Sequence, residues 1–324
     1  MKLVIQIPAW DEAEQIRAAL EELPKRVAGF DAVETLVVDD GSTDGTAEAA
    51  RRAGATHVVR LPVHRGLAFA WRAGLDAALR AGADVIVSTD ADRQYAAADV
   101  EALLAPILRG EAEIVVGDRG VATKEDFSPG KRLTQRLGSW VVRRASGTDV
   151  PDATSGFRAL TREAAMQLNV FSKMTYTIET LIQAGNKEMA VASVPVRTNP
   201  PVRPSRLIRR TSNYVLVQGA NILRITALYK PLPVFFGAAA LLALTGAALV
   251  ARYVWFVAIA QNPAGHLQSL LLAAVLFVAA VVCFLSGLLA DLISINRALL
   301  EELVVEKRRD AASEKDKAPG IRIS

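Results

Sequence analysis

Short apolar runs alternate with Ala-rich stretches of helical period through the N-terminal two thirds of the chain. Runs at 3–7, 35–38, 57–60, 85–89, 114–116 and 191–196 are rich in Val, Ile and Leu and read as strands. Between them, 12–23, 46–53, 68–81 and 97–108 repeat apolar residues at three- and four-residue spacing, as amphipathic helices do. This alternation predicts an α/β domain with a mostly parallel sheet. Ligands of such sheets bind outside the carboxyl ends of the strands. Polar motifs follow the first, second, fourth and fifth runs, so one rim is expected to carry them all.

Beyond residue 204 the pattern changes. Stretches 232–250 and 267–290 contain no charged residue, and each reaches the ~20 apolar residues that cross a bilayer as a helix. They account for a hydrophobic fraction of 51% in 324 residues and a mean hydropathy of +0.24. Two membrane spans are expected, at 232–257 and 266–293. The α/β domain takes 1–204, amphipathic juxtamembrane helices take 205–231, and a charged tail takes 294–324, disordered from Asp310 on.

The net charge of +4 hides an asymmetry. No acid occurs between Glu188 and Asp291, while Arg197, Arg203, Arg206, Arg209, Arg210, Arg224 and Lys230 crowd the approach to the first span. Basic residues beside a span favour the cytoplasmic side and anionic headgroups. The tail adds Lys307, Arg308 and Arg309, and the link at 258–266 has neither Lys nor Arg. An integral protein of the inner or plasma membrane follows, with the large domain and both termini cytoplasmic. A nucleic-acid partner is excluded, because the basic strip abuts a span and carries no binding motif. The apolar part of the N-terminus is too short for a signal peptide. Cys283 is the lone cysteine, so neither a disulfide framework nor a zinc cluster is expected.

Asp90-Ala91-Asp92 closes the strand-like run 85–89. Two carboxylates one residue apart at a strand end can hold a hard divalent cation, with phosphate oxygens and water completing its shell. Asp39-Asp40-Gly41-Ser42-Thr43-Asp44-Gly45-Thr46 follows the second run and opens a helix. Its acids suit ribose hydroxyls or base edges, and its glycines permit a tight turn. Residues 7–12, Ile-Pro-Ala-Trp-Asp-Glu, end the first strand, and Trp10 could stack on a flat base. The chain has no Gly-x-x-x-x-Gly-Lys and no Gly-x-Gly-x-x-Gly, which counts against kinases, ATPases and dehydrogenases. His57, His64 and His266 are scattered, without ligand spacing.

Together with Gly117-Asp118-Arg119, residues 152–158 (Asp-Ala-Thr-Ser-Gly-Phe-Arg) and Arg203-Pro204-Ser205-Arg206, these strings resemble inverting glycosyltransferases of the GT-A type. They resemble most the polyprenyl-phosphate glycosyltransferases, the group that includes dolichol-phosphate mannose synthases. The resemblance covers about the first 230 residues. It implies a Rossmann-like nucleotide-sugar domain, with Pro8, Ala9, Asp11, Glu12, Asp39, Asp40 and Ala91 binding the donor. Asp90, Asp92 and Gln94 would hold Mg²⁺ or Mn²⁺ against the diphosphate. Arg119 and Arg158 would face a polyprenyl phosphate acceptor, and Arg203 and Arg206 would close over donor or acceptor. The group usually has Asn where Asp11 stands.

Chemistry is consistent with that set. An acceptor phosphate is already ionised near neutral pH and needs no base, whereas a lipid hydroxyl acceptor would need one, for which Glu179 is the candidate. Arginine suits a phosphate because its planar fork bonds two oxygens. A processive polysaccharide synthase is disfavoured by the absence of Gln-x-x-Arg-Trp. A non-catalytic membrane scaffold is disfavoured by the intact acid pair. Lipid transport by the spans is disfavoured because they lack buried ionisable residues apart from Asp291, which sits near an end rather than mid-bilayer. Gly237, Ala238, Ala239, Gly246 and Gly287 permit close helix approach and so homo-oligomers.

Overall fold

The computed structural model describes residues 1–120, 139–170, 176–199, 224, 227, 229, 231–258 and 267–317. By packing, the chain divides into two compact units, Met1–Ile222 with Glu301–Ser324, and Leu223–Leu300.

The first unit is built on a seven-stranded sheet. Its elements are β1 (Lys2–Ala9), α1 (Ile16–Glu22), β2 (Ala32–Asp39), α2 (Thr46–Arg52), β3 (His57–Arg60), α3 (Leu67–Arg80) and β4 (Val85–Ser88). Then come α4 (Val100–Leu108), β5 (Ile114–Asp118), α5 (139–146), β6 (Arg158–Thr161), α6 (Arg162–Gln167), α7 (Thr177–Asn186) and β7 (Val191–Pro195). Strand order is β3-β2-β1-β4-β6-β5-β7. Only β6 runs antiparallel to its neighbours; the other pairs are parallel. The carboxyl ends of β1, β2, β4 and β5 therefore share one rim, as the motif positions predict.

Alternation along β1 sets the two layers. Leu3, Ile5 and Ile7 pack with Ile16 and Leu20 of α1, Ala47 and Ala50 of α2, and Leu103 and Leu104 of α4. The opposite face meets α3, where a Cβ on Gly74 would clash with Gln6 and Val38. With helices on both faces every β1 residue after Lys2 is buried, which is why the strand reads as an unbroken apolar run.

Differences from the sequence reading are local. Residues 12–15 form a turn rather than the start of α1, since Gln15 and Ile16 both donate to the Glu12 carbonyl. Asp11 precedes that turn at φ 51°, a left-handed conformation that Asp and Asn tolerate better than other side-chain-bearing residues. The four-residue β6 and the helices α5, α6 and α7 were not expected.

The second unit holds α8 (Pro231–Ala258) and most of α9 (Leu267–Lys317). Both are long and apolar enough to cross a membrane. The helix α9 is continuous to Lys317, so the stretch from Asp310 that reads as disordered begins as helix. Its last turns belong to the first unit. Glu301 pairs with Lys187 at 3.1 Å, and Arg309 pairs with Glu163. Arg308 donates to the carbonyls of Met166 and Leu168 at 2.8 and 3.0 Å and meets Asp76 at 3.0 Å.

Candidate active site

The turn after β2 is stitched to the end of β1. Asp39 stands opposite Ala9 in the β1–β2 ladder, and the Asp40 N–H donates to the Ala9 carbonyl at 2.9 Å. Asp11 donates its N–H to Ser42 Oγ and accepts the Thr43 N–H on its carboxylate. Asp44 accepts from Thr46 N at the start of α2 and from Ala13 N, which explains the acid before that helix. Glu12, 9% exposed, donates its N–H to Thr46 Oγ1. Gly41, at φ +69°, lies so close to the 63–64 backbone that a Cβ would sit 2.5 Å from it.

The adjacent acids Asp39 and Asp40 behave differently. Asp40 is consumed by the neighbouring loop, accepting Arg65 N at 2.9 Å and Gly66 N at 2.8 Å, with His64 Nδ1 at 2.8 Å. That arrangement launches α3. Asp39 accepts the Ser42 N–H on Oδ1. Its buried Oδ2 faces Arg60 Nε at 3.5 Å and accepts no hydrogen bond. A buried carboxylate oxygen without a donor is costly, and a ligand hydroxyl or ring N–H would supply one. Trp10, 40% exposed at the rim, stacks on His64 at 4.0 Å.

Asp90 and Asp92 follow β4, both half-buried, with Ala91 buried between them. Burial, and then the charge of Asp92, push the Asp90 carboxyl up to about 7, partly opposed by Arg119. Gln94 donates its backbone N–H to Asp92 Oδ1 and accepts Asn199 N on its carbonyl. Among the described residues no group of three or more His, Cys, Asp or Glu is placed to hold a metal. A cation here would rest on the Asp90–Asp92 pair and ligand oxygens. That donor set fits Mg²⁺ or Mn²⁺, hard ions that accept few protein carboxylates.

Below the pair lies a scaffold that the sequence reading passes over. Gly156 lies against Asp90, where a Cβ would be 3.2 Å from both carboxylate oxygens and 3.1 Å from the Tyr176 hydroxyl. Its peptide groups are held from two sides, N–H to Tyr95 Oη at 2.9 Å and carbonyl by Tyr176 Oη at 3.1 Å. Tyr176 stacks on Trp71 at 4.5 Å, and Trp71 Nε1 donates to Ser88 Oγ at the end of β4. Burial and the Asp90 charge push the Tyr95 hydroxyl up to about 12, so it stays protonated. Gly156→Ala is expected to cut activity at least tenfold by displacing Asp90, with little change in melting temperature. Unchanged turnover would show that Asp90 tolerates the shift.

Arg119 follows β5 and bonds Asp152 through both Nε (2.6 Å) and Nη2 (2.9 Å), with Thr154 Oγ1 at 2.8 Å. Arg158 is placed differently from the sequence expectation of a group facing the acceptor. It is 1% exposed, and its guanidinium donates to the Ser155 and Ala153 carbonyls and to Thr180 Oγ1. Burial pushes it down to about 10, still protonated at neutral pH. It reaches the cleft through the 153–155 backbone that it holds. Glu179, in the first turn of α7, is 1% exposed. Pro8 and Ala9 are buried at the end of β1, whereas Arg203 and Arg206 lie outside the described residues.

A nucleotide-sugar type of α/β fold, with an acid pair on the switch-point rim, defines a glycosyltransferase. The pattern of glycosyl transferase family 2 matches residues 4–168, and the chain belongs to that family. The polyprenol monophosphomannose synthase of Mycolicibacterium smegmatis is 29% identical over 206 residues, 60% of this chain and 76% of that one. The UDP-N-acetylglucosamine–dolichyl-phosphate N-acetylglucosaminyltransferase of Methanococcus voltae is 27% identical over 215 residues, 59% of this chain and 83% of that one. Among solved structures, glucosyl-3-phosphoglycerate synthase from Mycobacterium tuberculosis, crystallised with Mn²⁺, UDP and glucosyl-3-phosphoglycerate, superposes with a TM-score of 0.53. It is 26% identical, over 68% of this chain and 79% of its own.

Proposed function

We propose that this glycosyltransferase moves a sugar from a UDP- or GDP-linked donor onto polyprenyl phosphate, at the cytoplasmic face of the membrane that α8 and α9 span. The observation that carries the reading is the acid pair beside Arg119 on the rim where β1 and β2 also end. Relatives named for transfer to polyprenol or dolichyl phosphate support the acceptor. The neighbour crystallised with Mn²⁺ and UDP supports a metal and a uridine nucleotide.

In this proposal Asp39 Oδ2 accepts a donor hydroxyl or ring N–H, and Pro8, Ala9, Asp11 and Glu12 shape the nucleoside pocket. Asp90 and Asp92 would hold Mg²⁺ or Mn²⁺, with Gln94 beside them, and the ion would neutralise charge on the departing diphosphate. Arg119, fixed by Asp152, adds positive charge beside Asp90. Arg203 and Arg206 would close over the phosphates. The acceptor oxygen is already anionic, so one displacement at the anomeric carbon suffices and the configuration inverts. A buried Glu179 agrees with chemistry that needs no base. The acid-free, arginine-rich approach to α8 supports the cytoplasmic placement.

The test mixes the detergent-purified full chain with Mg²⁺ or Mn²⁺, polyprenyl phosphate and a panel of UDP- and GDP-sugars, followed by mass spectrometry of the extracted lipid. A metal-dependent glycosyl-phosphate lipid is expected. Donor binding without that product, together with transfer to a lipid alcohol, would overturn the acceptor assignment.

The raised Asp90 carboxyl gives a pH dependence that needs no turnover. Its native value lies above the unfolded one, so the metal-free fold takes up a proton there and loses stability as pH rises from about 4 through 7. A bound cation displaces that proton. Mn²⁺ affinity is therefore expected to rise about tenfold per pH unit below 7 and level off above it. Calorimetric titration at several pH values checks this, and a flat affinity from pH 5 to 7 would remove Asp90 from the site.

A further inference from the structure

The helix α9 carries two seven-residue repeats on opposite faces. Positions 273, 280, 287, 294, 301 and 308 form the inner stripe. Ala273 and Ala280 are 0% and 7% exposed, and Gly287 lies against Phe235 of α8, where a Cβ would be 2.8 Å away. Gly246 of α8 in turn meets the Ala273 carbonyl and the Phe277 ring. Within the first unit, Glu301 pairs with Lys187 and Arg308 donates to the Met166 and Leu168 carbonyls. The small residues Ala239, Gly246 and Gly287, which the sequence offers for association between copies, are used within the α8–α9 pair. Gly237 has nothing near it, and Ala238 is exposed.

Among the described residues the outer stripe has no partner in the chain. Leu285, Leu289, Leu292, Asn296, Leu299 and Leu303 alternate spacings of four and three, the a/d repeat of a coiled coil. The five leucines are 51% to 63% exposed, and Asn296 is exposed too. Lipid accounts for only part of this. At ~1.5 Å per residue the uncharged stretch 267–290 already covers the roughly 30 Å of a bilayer's hydrocarbon. Leu299 and Leu303 come after Asp291 and Arg297, where water would wet them.

We infer that this stripe is a homo-oligomer seam on which α9 of a second copy of this chain packs in parallel. Copies inserted into one membrane share an orientation, so their α9 helices meet in parallel and each seam residue faces its own counterpart. Asn296 is the single polar residue of the seam. A lone a-position Asn fixes register by pairing with its counterpart, at some cost in stability. Flanking charges agree with the same register, because Glu302 and Lys307 occupy g and e positions five residues apart and attract across a parallel pair. Acids at Glu306 and Asp310 end the seam. This inference is independent of the sugar acceptor.

The test is cysteine scanning of the full chain in membranes, with Cys283→Ser as background. Single cysteines replace Leu292, Asn296, Leu299 and Leu303 on the seam, and Ser294 and Ala298 off it. Mild oxidation is expected to give dimer bands several-fold stronger at the four seam positions than at the two controls. The unsubstituted protein should run as an oligomer by native mass spectrometry from nanodiscs, and Leu299→Glu with Leu303→Glu should shift it to monomer. A monomeric unsubstituted protein, or crosslinking without the four-three period, would overturn the inference.

Discussion

Asp92→Asn is expected to lower sugar transfer about a thousandfold, ~4 kcal/mol of barrier, while folding and membrane insertion stay unchanged. The substitution removes one of the two negative charges that the proposed cation needs. It leaves the fold alone because Asp92 Oδ1 accepts the Gln94 N–H at 3.1 Å, a bond that an amide oxygen can keep. Substitution should also lower the Asp90 carboxyl from about 7, because the Asp92 charge is one cause of its rise. Turnover by lipid mass spectrometry and Mn²⁺ binding by calorimetry should fall together. Near-normal turnover would remove the metal assignment, and lost turnover with intact Mn²⁺ binding would move Asp92 to the sugar.

The second large effect belongs to a residue that the sequence motif contains without a stated role. Asp152→Ala is expected to destabilise the protein by about 3 kcal/mol, because it breaks a pair that is largely out of water. Side chains of Arg119 and Asp152 are 15% and 3% exposed. After the substitution Arg119 keeps only Thr154 among its side-chain partners named above. Burial opposes ionisation of Asp152, but hydrogen bonds from Arg119 outweigh it and hold the carboxyl below the usual carboxylate range. The native value is thus below the unfolded one. This contribution is present above about pH 4 and disappears as pH falls through the native value. Denaturant melts of parent and variant should differ at pH 7 and converge in acid. A constant gap across that range would mean that packing, not charge, is what Asp152 contributes. Transfer should fall as well, since Arg119 loses the anchor that holds it near Asp90.

Much of the fold was legible because the parallel strands are buried on both faces. Continuous apolar runs such as those of β1 and β4 mark such strands, and the motifs after them mark the rim. Elements without that signature were missed. The strand β6 has four residues, begins with a buried arginine and runs against its neighbours. The helix α7 carries an apolar stripe of Ile178, Leu181 and Ile182, but it spans only ten residues, too few for period alone to fix. In the site, spacing located the acid pair but could not separate Asp39 from Asp40, because the 64–66 loop that occupies Asp40 arrives from another part of the chain. Arg158 was ambiguous for a similar reason. An arginine after Ser-Gly-Phe suits a phosphate or a carbonyl equally well, and only the fold brings Thr180 and two carbonyls to it. Tyr95 and Tyr176 carry no motif at all, and their roles come from Gly156 lying between them.

Arg308 has a consequence for the order in which the protein can be completed. The Met166 and Leu168 carbonyls emerge from the ribosome early, yet their arginine follows both uncharged apolar stretches, 142 and 140 residues later in the chain. A nascent chain can therefore assemble its sheet long before this contact is available. The part of α9 from Glu301 to Arg309 closes onto the first unit only after everything between has been synthesised, so a released chain that stops short of Glu301 keeps its chemistry-bearing rim but leaves that closure undone.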